Sequence, residues 1–186
     1  MCSKAKQKLF VLRKKIISSD PDTLIMVYKM YVLPTLMYCS PIWSPFTYDD
    51  KMKIEKIQKR FTKSLPGFSE LTYQERLKKA NLKSLELSRV LSDMIFCYKM
   101  LHDLVVIDKT NIVEYDTNYL TRGHGLKLRA CKPICNTSLY SYGYRISKIW
   151  NGLSPNTVWA PTLSLFKQYL LEEDLSDALL LKCDTF

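Results

Sequence analysis

The sequence predicts a mainly α protein, a basic helical bundle followed by a small α+β C-terminal region. Three observations lead there. Apolar residues recur at helical spacing through most of the first hundred residues. Only 5 glycines occur in 186 residues and no Ser/Gly/Pro-rich run appears, so neither a disordered tail nor a flexible linker is obvious. The clearest period-2 alternation, Leu126, Leu128 and Ala130 against Lys127 and Arg129, comes late and reads as one half-buried strand. An apolar share of 47% is ample for a packed core. The expected division is a helical domain over residues 1–103 and a small α+β region over 104–186. No internal repeat or low-complexity run interrupts either part.

In the first segment Ala5, Leu9, Leu12 and Ile16 form an apolar stripe, and Lys4, Lys6, Lys8, Arg13, Lys14 and Lys15 cover the remaining surface. This is a basic amphipathic helix ending near Ser18-Ser19-Asp20-Pro21. A second helix, from Asp22 to Leu33, is apolar nearly all round, so it is expected at the centre with every side covered. Pro34 lacks a backbone N–H and disfavours helix at Leu33, which predicts a stop or kink there. Pro41 and Pro45 bracket a rigid turn carrying Trp43.

A third helix is expected from Asp49 to Leu65. At 100° per residue Ile54, Ile57, Phe61 and Leu65 share one side, while Lys53, Lys56, Lys59, Arg60 and Lys63 cluster on the other. Pro66-Gly67 terminates it. Thr72-x-x-Glu75 reads as a capping box opening a short helix to Ala80. Ser84 is placed to cap a longer helix whose inward stripe is Leu87, Val90, Leu91, Met94, Ile95, Tyr98 and Leu101. Residues 104–120 have no clear period. A helix from Ser138 to Trp150 follows the strand, and Thr162 caps a last helix bearing Leu165, Phe166, Tyr169 and Leu170. The tail after Asp174 reads as loose, and Trp43 and Trp150 read as core.

The formal net charge of +10 is unevenly placed. Residues 1–100 carry 19 Lys/Arg against 9 Asp/Glu, and residues 101–186 carry 9 against 9, so the whole excess lies in the first half. Such a half attracts phosphate backbones, since each paired cation releases a condensed counterion. Six scattered cysteines without a signal peptide point to an intracellular setting, nuclear or cytoplasmic. The apolar stretch Leu24 to Phe46 is interrupted by Lys29, Pro34, Pro41 and Pro45, which argues for a core helix over a membrane span.

Catalytic patterns find little support. Asp49 and Asp50 follow Tyr48 and resemble the aromatic-x-Asp-Asp carboxylates of a polymerase, but the spacing differs and no strand-borne Asp precedes them to complete a two-metal set. Their natural place is a helix's first turn, facing its positive end. His124, Cys131 and Cys135 fall one short of tetrahedral zinc, and no Gly-x-Ser-x-Gly elbow or phosphate-cradling loop occurs. The reading is therefore no enzyme, no metal, no cofactor, no small-molecule substrate and no membrane. Nucleic acid remains as partner, contacted through Lys53, Lys56, Lys59, Arg60 and Lys63 with Lys8 and Lys15, by phosphate contacts that do not read bases. The alternative is a helical protein-interaction or structural domain whose basic ridge meets acidic protein surfaces.

Five stretches also carry a resemblance. They are Tyr28-Lys29-Met30-Tyr31-Val32-Leu33-Pro34-Thr35-Leu36-Met37-Tyr38 with Pro41-Ile42-Trp43-Ser44-Pro45; Glu55 through Pro66-Gly67; Leu71 through Leu77; Thr121-Arg122-Gly123-His124-Gly125-Leu126-Lys127-Leu128; and Ile149 through Pro155 leading to Ser164-Leu165-Phe166-Lys167. In order and spacing they resemble the region beyond the palm of LINE-type, Jockey-like non-LTR retrotransposon reverse transcriptases. The resemblance runs from about Ser3 to Leu171. It implies that residues 1–103 are thumb-like, the part that holds an RNA/DNA hybrid or duplex. It also implies that the chain is a non-catalytic remnant of an RNA-directed DNA polymerase, without the palm's metal-binding aspartates.

Overall fold

The computed structural model describes residues 1–16, 19–110, 112–115, 124–130, 140–181 and 183. In chain order the elements are α1 (Cys2–Lys15), α2 (Pro21–Val27), a π-helical turn (Tyr28–Val32), α3 (Leu33–Met37), α4 (Tyr48–Lys63), α5 (Tyr73–Lys79), α6 (Leu85–Leu101), β1 (Val113–Tyr115), β2 (Leu128–Ala130), α7 (Tyr142–Gly152), α8 (Pro155–Val158), α9 (Leu163–Glu172) and a 3₁₀ turn (Ser176–Ala178). The fold is mainly α with a small α+β region, as the apolar periodicity predicts. Contacts divide it into two compact units. One comprises Met1–Ser40, Ser44–Arg89 and Leu179–Phe186, the other Pro41–Trp43 and Val90–Ala178. The division falls inside α6, where the sequence reading divides the chain after residue 103.

In the first unit, Ala5, Leu9 and Leu12 of α1 pack inward on α4 and on the continuous helical stretch that α2, the π turn and α3 make together. Ile25, Tyr28, Val32 and Leu36 form the buried line of that stretch. Pro34 neither stops nor breaks it. The N–H of Leu33 bonds the carbonyl of Tyr28, five residues back, so the backbone widens one turn ahead of the proline and the helix runs on to Met37. The second expectation for this helix also fails, because Met26, Met30 and Tyr31 are exposed on its outer side.

Local caps set the other helix starts of this unit. Asp20 accepts from the N–H of Thr23, Thr47 from that of Asp50, Thr72 from that of Glu75, and Ser84 from that of Leu87. The capping box at Thr72 is complete, with Glu75 taking the Thr72 N–H at 2.7 Å. Asn81 adopts a left-handed φ of 47° just after α5, and the Leu82 N–H returns to the Leu77 carbonyl to close that helix end. Helix α6 buries Leu85, Glu86, Arg89, Asp93, Met94, Cys97, Tyr98, Met100 and Leu101, while Leu87, Val90, Leu91 and Ile95 are half-buried. The buried face is thus rotated from the apolar stripe toward polar positions.

The tail is not loose through Leu181. Leu179 is buried, and the N–H groups of Leu180 and Leu181 donate to the Glu86 carboxylate at 2.9 and 2.8 Å. Lys51 Nζ completes that carboxylate's shell at 2.6 Å, so the buried charge is both paired and hydrogen-bonded.

In the second unit, β1 and β2 pair antiparallel with Val113 opposite Ala130 and Tyr115 opposite Leu128. The Asn151 side chain of α7 accepts from the Leu128 N–H and donates to the Leu128 carbonyl, both at 2.8 Å, and so bonds β2 as a neighbouring strand would. Trp150 is fully buried, donates from Nε1 to the Leu126 carbonyl at 2.9 Å and lies 6.0 Å from Phe166, which in turn stacks on Tyr98 at 4.3 Å. Gly143 sits where a Cβ would come within 2.0 Å of the Ile112 carbonyl oxygen, so only glycine lets α7 approach that closely. Thr162 caps α9 as expected.

Candidate nucleic-acid interface

The rotation of α4 about its own axis determines which cations reach solvent. Its buried side carries Ile54, Ile57 and Phe61, as periodicity predicts, and also Glu55, Gln58 and Thr62. Phe61 stacks on Tyr28 with ring centroids 4.1 Å apart and planes 8° from parallel. Gln58 accepts from the Tyr28 hydroxyl at 3.0 Å and donates to the Lys83 carbonyl at 2.8 Å and the Tyr73 hydroxyl at 3.2 Å. Glu55 takes the Leu85 N–H, at 3.0 Å to Oε2, and the Tyr73 hydroxyl. Burial, followed by the nearby Glu55 charge, pushes the Tyr28 and Tyr73 phenols well above their ordinary value, so both remain neutral donors. These bonds satisfy polar groups that would otherwise be costly to bury, and they hold α4 in one orientation.

That orientation leaves Lys53, Lys56, Arg60 and Lys63 exposed on one arc. Lys53 Nζ lies 2.8 Å from Asp50 in an exposed i,i+3 pair. Hydrogen bonds from Lys53 and Thr47 hold the Asp50 carboxyl below its usual range. An exposed pair of this kind contributes little and competes weakly with a phosphate. Arg60 and Lys63 stand in the helix's last turn, where its negative end favours cations in any case.

The other sequence-predicted residues are placed differently. Lys59 is half-buried on the flank of the arc, its Nζ 4.9 Å from the Tyr73 ring centroid and 3.7 Å from Met52 Sδ. Lys8 donates from Nζ to the Tyr31 carbonyl at 3.1 Å and to Thr35 Oγ1 at 2.7 Å, on the α3 side of α1. Lys15 is exposed and, seven residues on, falls on the same flank as Lys8. The structure therefore brings together Lys53, Lys56, Arg60 and Lys63 but sets Lys8 and Lys15 apart from them. A cation the sequence reading passed over joins the arc instead: Arg13 donates from Nη2 to the Arg60 carbonyl at 3.2 Å. Its signal was present, since Arg13 lies on the side of the α1 stripe opposite Lys8.

Asp49 and Asp50 occupy the first turn of α4, with Asp50 bonded by Thr47. Among the described residues no group of three or more His, Cys, Asp and Glu side chains could hold a metal ion. Cys131 and Cys135 lie outside them, and His124 is buried with Nε2 3.0 Å from the Trp150 carbonyl. Among the described residues no helix is long and apolar enough to cross a membrane. Comparison of the chain with protein-family models, curated proteins and solved structures finds no match.

Proposed function

We propose that the chain is a non-catalytic nucleic-acid-binding module, similar to the thumb of a retrotransposon reverse transcriptase, that grips an RNA/DNA hybrid or duplex inside the cell. The observation that supports it best is the exposed arc of Lys53, Lys56, Arg60 and Lys63 on a helix whose opposite side is buried and pinned by Gln58 and Glu55. Four cations held on a rigid ridge meet a phosphate backbone without reading bases. Arg13 extends the positive field at the ridge's C-terminal end. The five sequence stretches support the likeness to a thumb, and the ridge supports the phosphate contact.

The test is fluorescence anisotropy of a labelled RNA/DNA hybrid at several salt concentrations. Four phosphate contacts imply a slope of log affinity against log salt of about −4, at roughly 0.9 per phosphate. Replacing Lys53, Lys56, Arg60 and Lys63 together by Gln weakens binding equally for every sequence and flattens the slope. Unchanged affinity and slope in that variant would make the arc a solvated face, and the protein-interaction alternative would then stand.

A further inference from the structure

The helical stretch running through α2, the π turn and α3 shows an apolar strip to solvent. Met26, Met30 and Tyr31 are 56%, 59% and 60% exposed, although the same turns bury Ile25, Tyr28 and Val32. Met26 and Met30 are four residues apart and share a line along the helix. Lys29 and Tyr31, the neighbours of Met30, flank that line on either side. The flanks are held in place. Lys29 Nζ donates to the Asn81 carbonyl at 3.2 Å on one side, and Lys8 Nζ donates to the Tyr31 carbonyl and Thr35 Oγ1 on the other. An ammonium has three donors, so Lys29 keeps two and Lys8 keeps one for an incoming acceptor.

We infer that this face docks an amphipathic helix of a partner protein, with apolar residues along its centre and Asp/Glu along both edges. Methionines suit such a seat because unbranched, polarisable side chains re-pack around different apolar knobs. The lysines on both rims select the sign of the edges, since matched charges fix register and like charges repel. A second copy of the chain fits badly, because a symmetric contact would set the same lysines against each other. A phosphate backbone has no use for the apolar strip. The inference is independent of the ridge on α4.

The probe is a synthetic helical peptide of roughly 18 residues, long enough to hold a helix, with leucines on one face and glutamates on both edges, and a twin carrying lysines at the edges. The parent chain binds the glutamate-edged peptide and not its twin. Met26→Glu/Met30→Glu weakens that binding by at least about tenfold without moving the melting curve. Lys8→Glu/Lys29→Glu reverses the preference toward the lysine-edged twin, and the Gln variant of the α4 ridge binds like the parent. The idea is overturned if the parent binds both peptides equally, or neither below about 1 mM. It is equally overturned if Met26→Glu/Met30→Glu abolishes binding to phosphatidylserine vesicles or breaks a dimer seen by sedimentation while leaving peptide binding intact.

Discussion

Two helical regions of the first unit break the usual rule in opposite directions. The stretch from Pro21 to Met37 leaves Met26, Met30 and Tyr31 in water. Helix α4 takes Glu55, Gln58 and Thr62 into the core. The difference teaches that burial here follows the availability of partners more than side-chain polarity. Gln58 and Glu55 are buried where Tyr28, Tyr73, Lys83 and Leu85 supply hydrogen-bond partners for them. Met30 stays outside because the lysines on its two flanks reach backbone carbonyls instead of covering it, Lys29 that of Asn81 and Lys8, from α1, that of Tyr31.

The largest effect expected from this contrast is at Val32, which is fully buried in the π turn. Val32→Asp places an unpaired carboxylate in an apolar site, costing several kcal/mol against a typical stability of ~5–15 kcal/mol. Cooperative urea unfolding followed by circular dichroism is expected to disappear. A normal transition with an unshifted midpoint would show that the inward line of this helix is not Ile25, Tyr28, Val32 and Leu36.

Next in size is Glu55→Ala. Removing the carboxylate strips the acceptor from the Leu85 N–H, which starts α6, and from the Tyr73 hydroxyl. Each orphaned buried donor costs about 1–3 kcal/mol, so the loss is on the order of 2–6 kcal/mol in a denaturation experiment. Glu55→Gln keeps one acceptor oxygen and is expected to lie between. If Glu55→Ala costs no more than an exposed substitution, about 0.5 kcal/mol, the polar face of α4 is not what holds that helix.

How much of this was legible in the sequence follows from the range of each bond. The caps at Thr72, Ser84 and Thr162 act three residues along the chain, so a reader of the sequence finds them, and the structure bears them out. The buried status of Glu55 depends on Leu85, thirty positions away, and nothing local announces it. The same reason hid the polar burial on α6 and the strand β1, whose three residues gain strand character only by pairing with β2. The π turn escaped because the rule that proline ends a helix ignores a widened turn ahead of it. At the candidate interface, the arc of Lys53, Lys56, Arg60 and Lys63 was readable from periodicity alone. The withdrawal of Lys59 toward Tyr73 was not, because it depends on where α5 packs.

The second unit offers a polar core group less well served than Glu55. His124 is buried, its Nε2 bonds the Trp150 carbonyl, and its Nδ1 meets no partner among the described residues. Burial lowers its pKa below the ordinary value near 6.5, with the Lys127 charge acting in the same direction and the Trp150 bond opposing them. The unfolded chain therefore binds the proton first as pH falls, and the folded state loses stability below about pH 6.5. Above that pH both states are neutral and the group has no pH-dependent effect. Thermal unfolding between about pH 7.5 and 5 should show this acid-side decline, and His124→Phe should reduce it. An identical decline in the variant would mean that other groups cause it.

The smallest expected effect is the one that completes the contrast. Met30 lies two residues from Val32 on the same π turn, yet 59% of it is exposed. An aspartate there keeps most of its hydration and leaves the Leu33 to Tyr28 backbone bond in place. Met30→Asp should therefore shift stability by no more than about 0.5 kcal/mol, the usual range for surface positions. Measured in the same urea titration, Val32→Asp and Met30→Asp put one chemical change on the two sides of one helical turn. If Met30→Asp unfolds the chain as Val32→Asp is expected to, the strip of Met26, Met30 and Tyr31 is covered in solution. If it does not, the strip remains a bare apolar face on a folded domain.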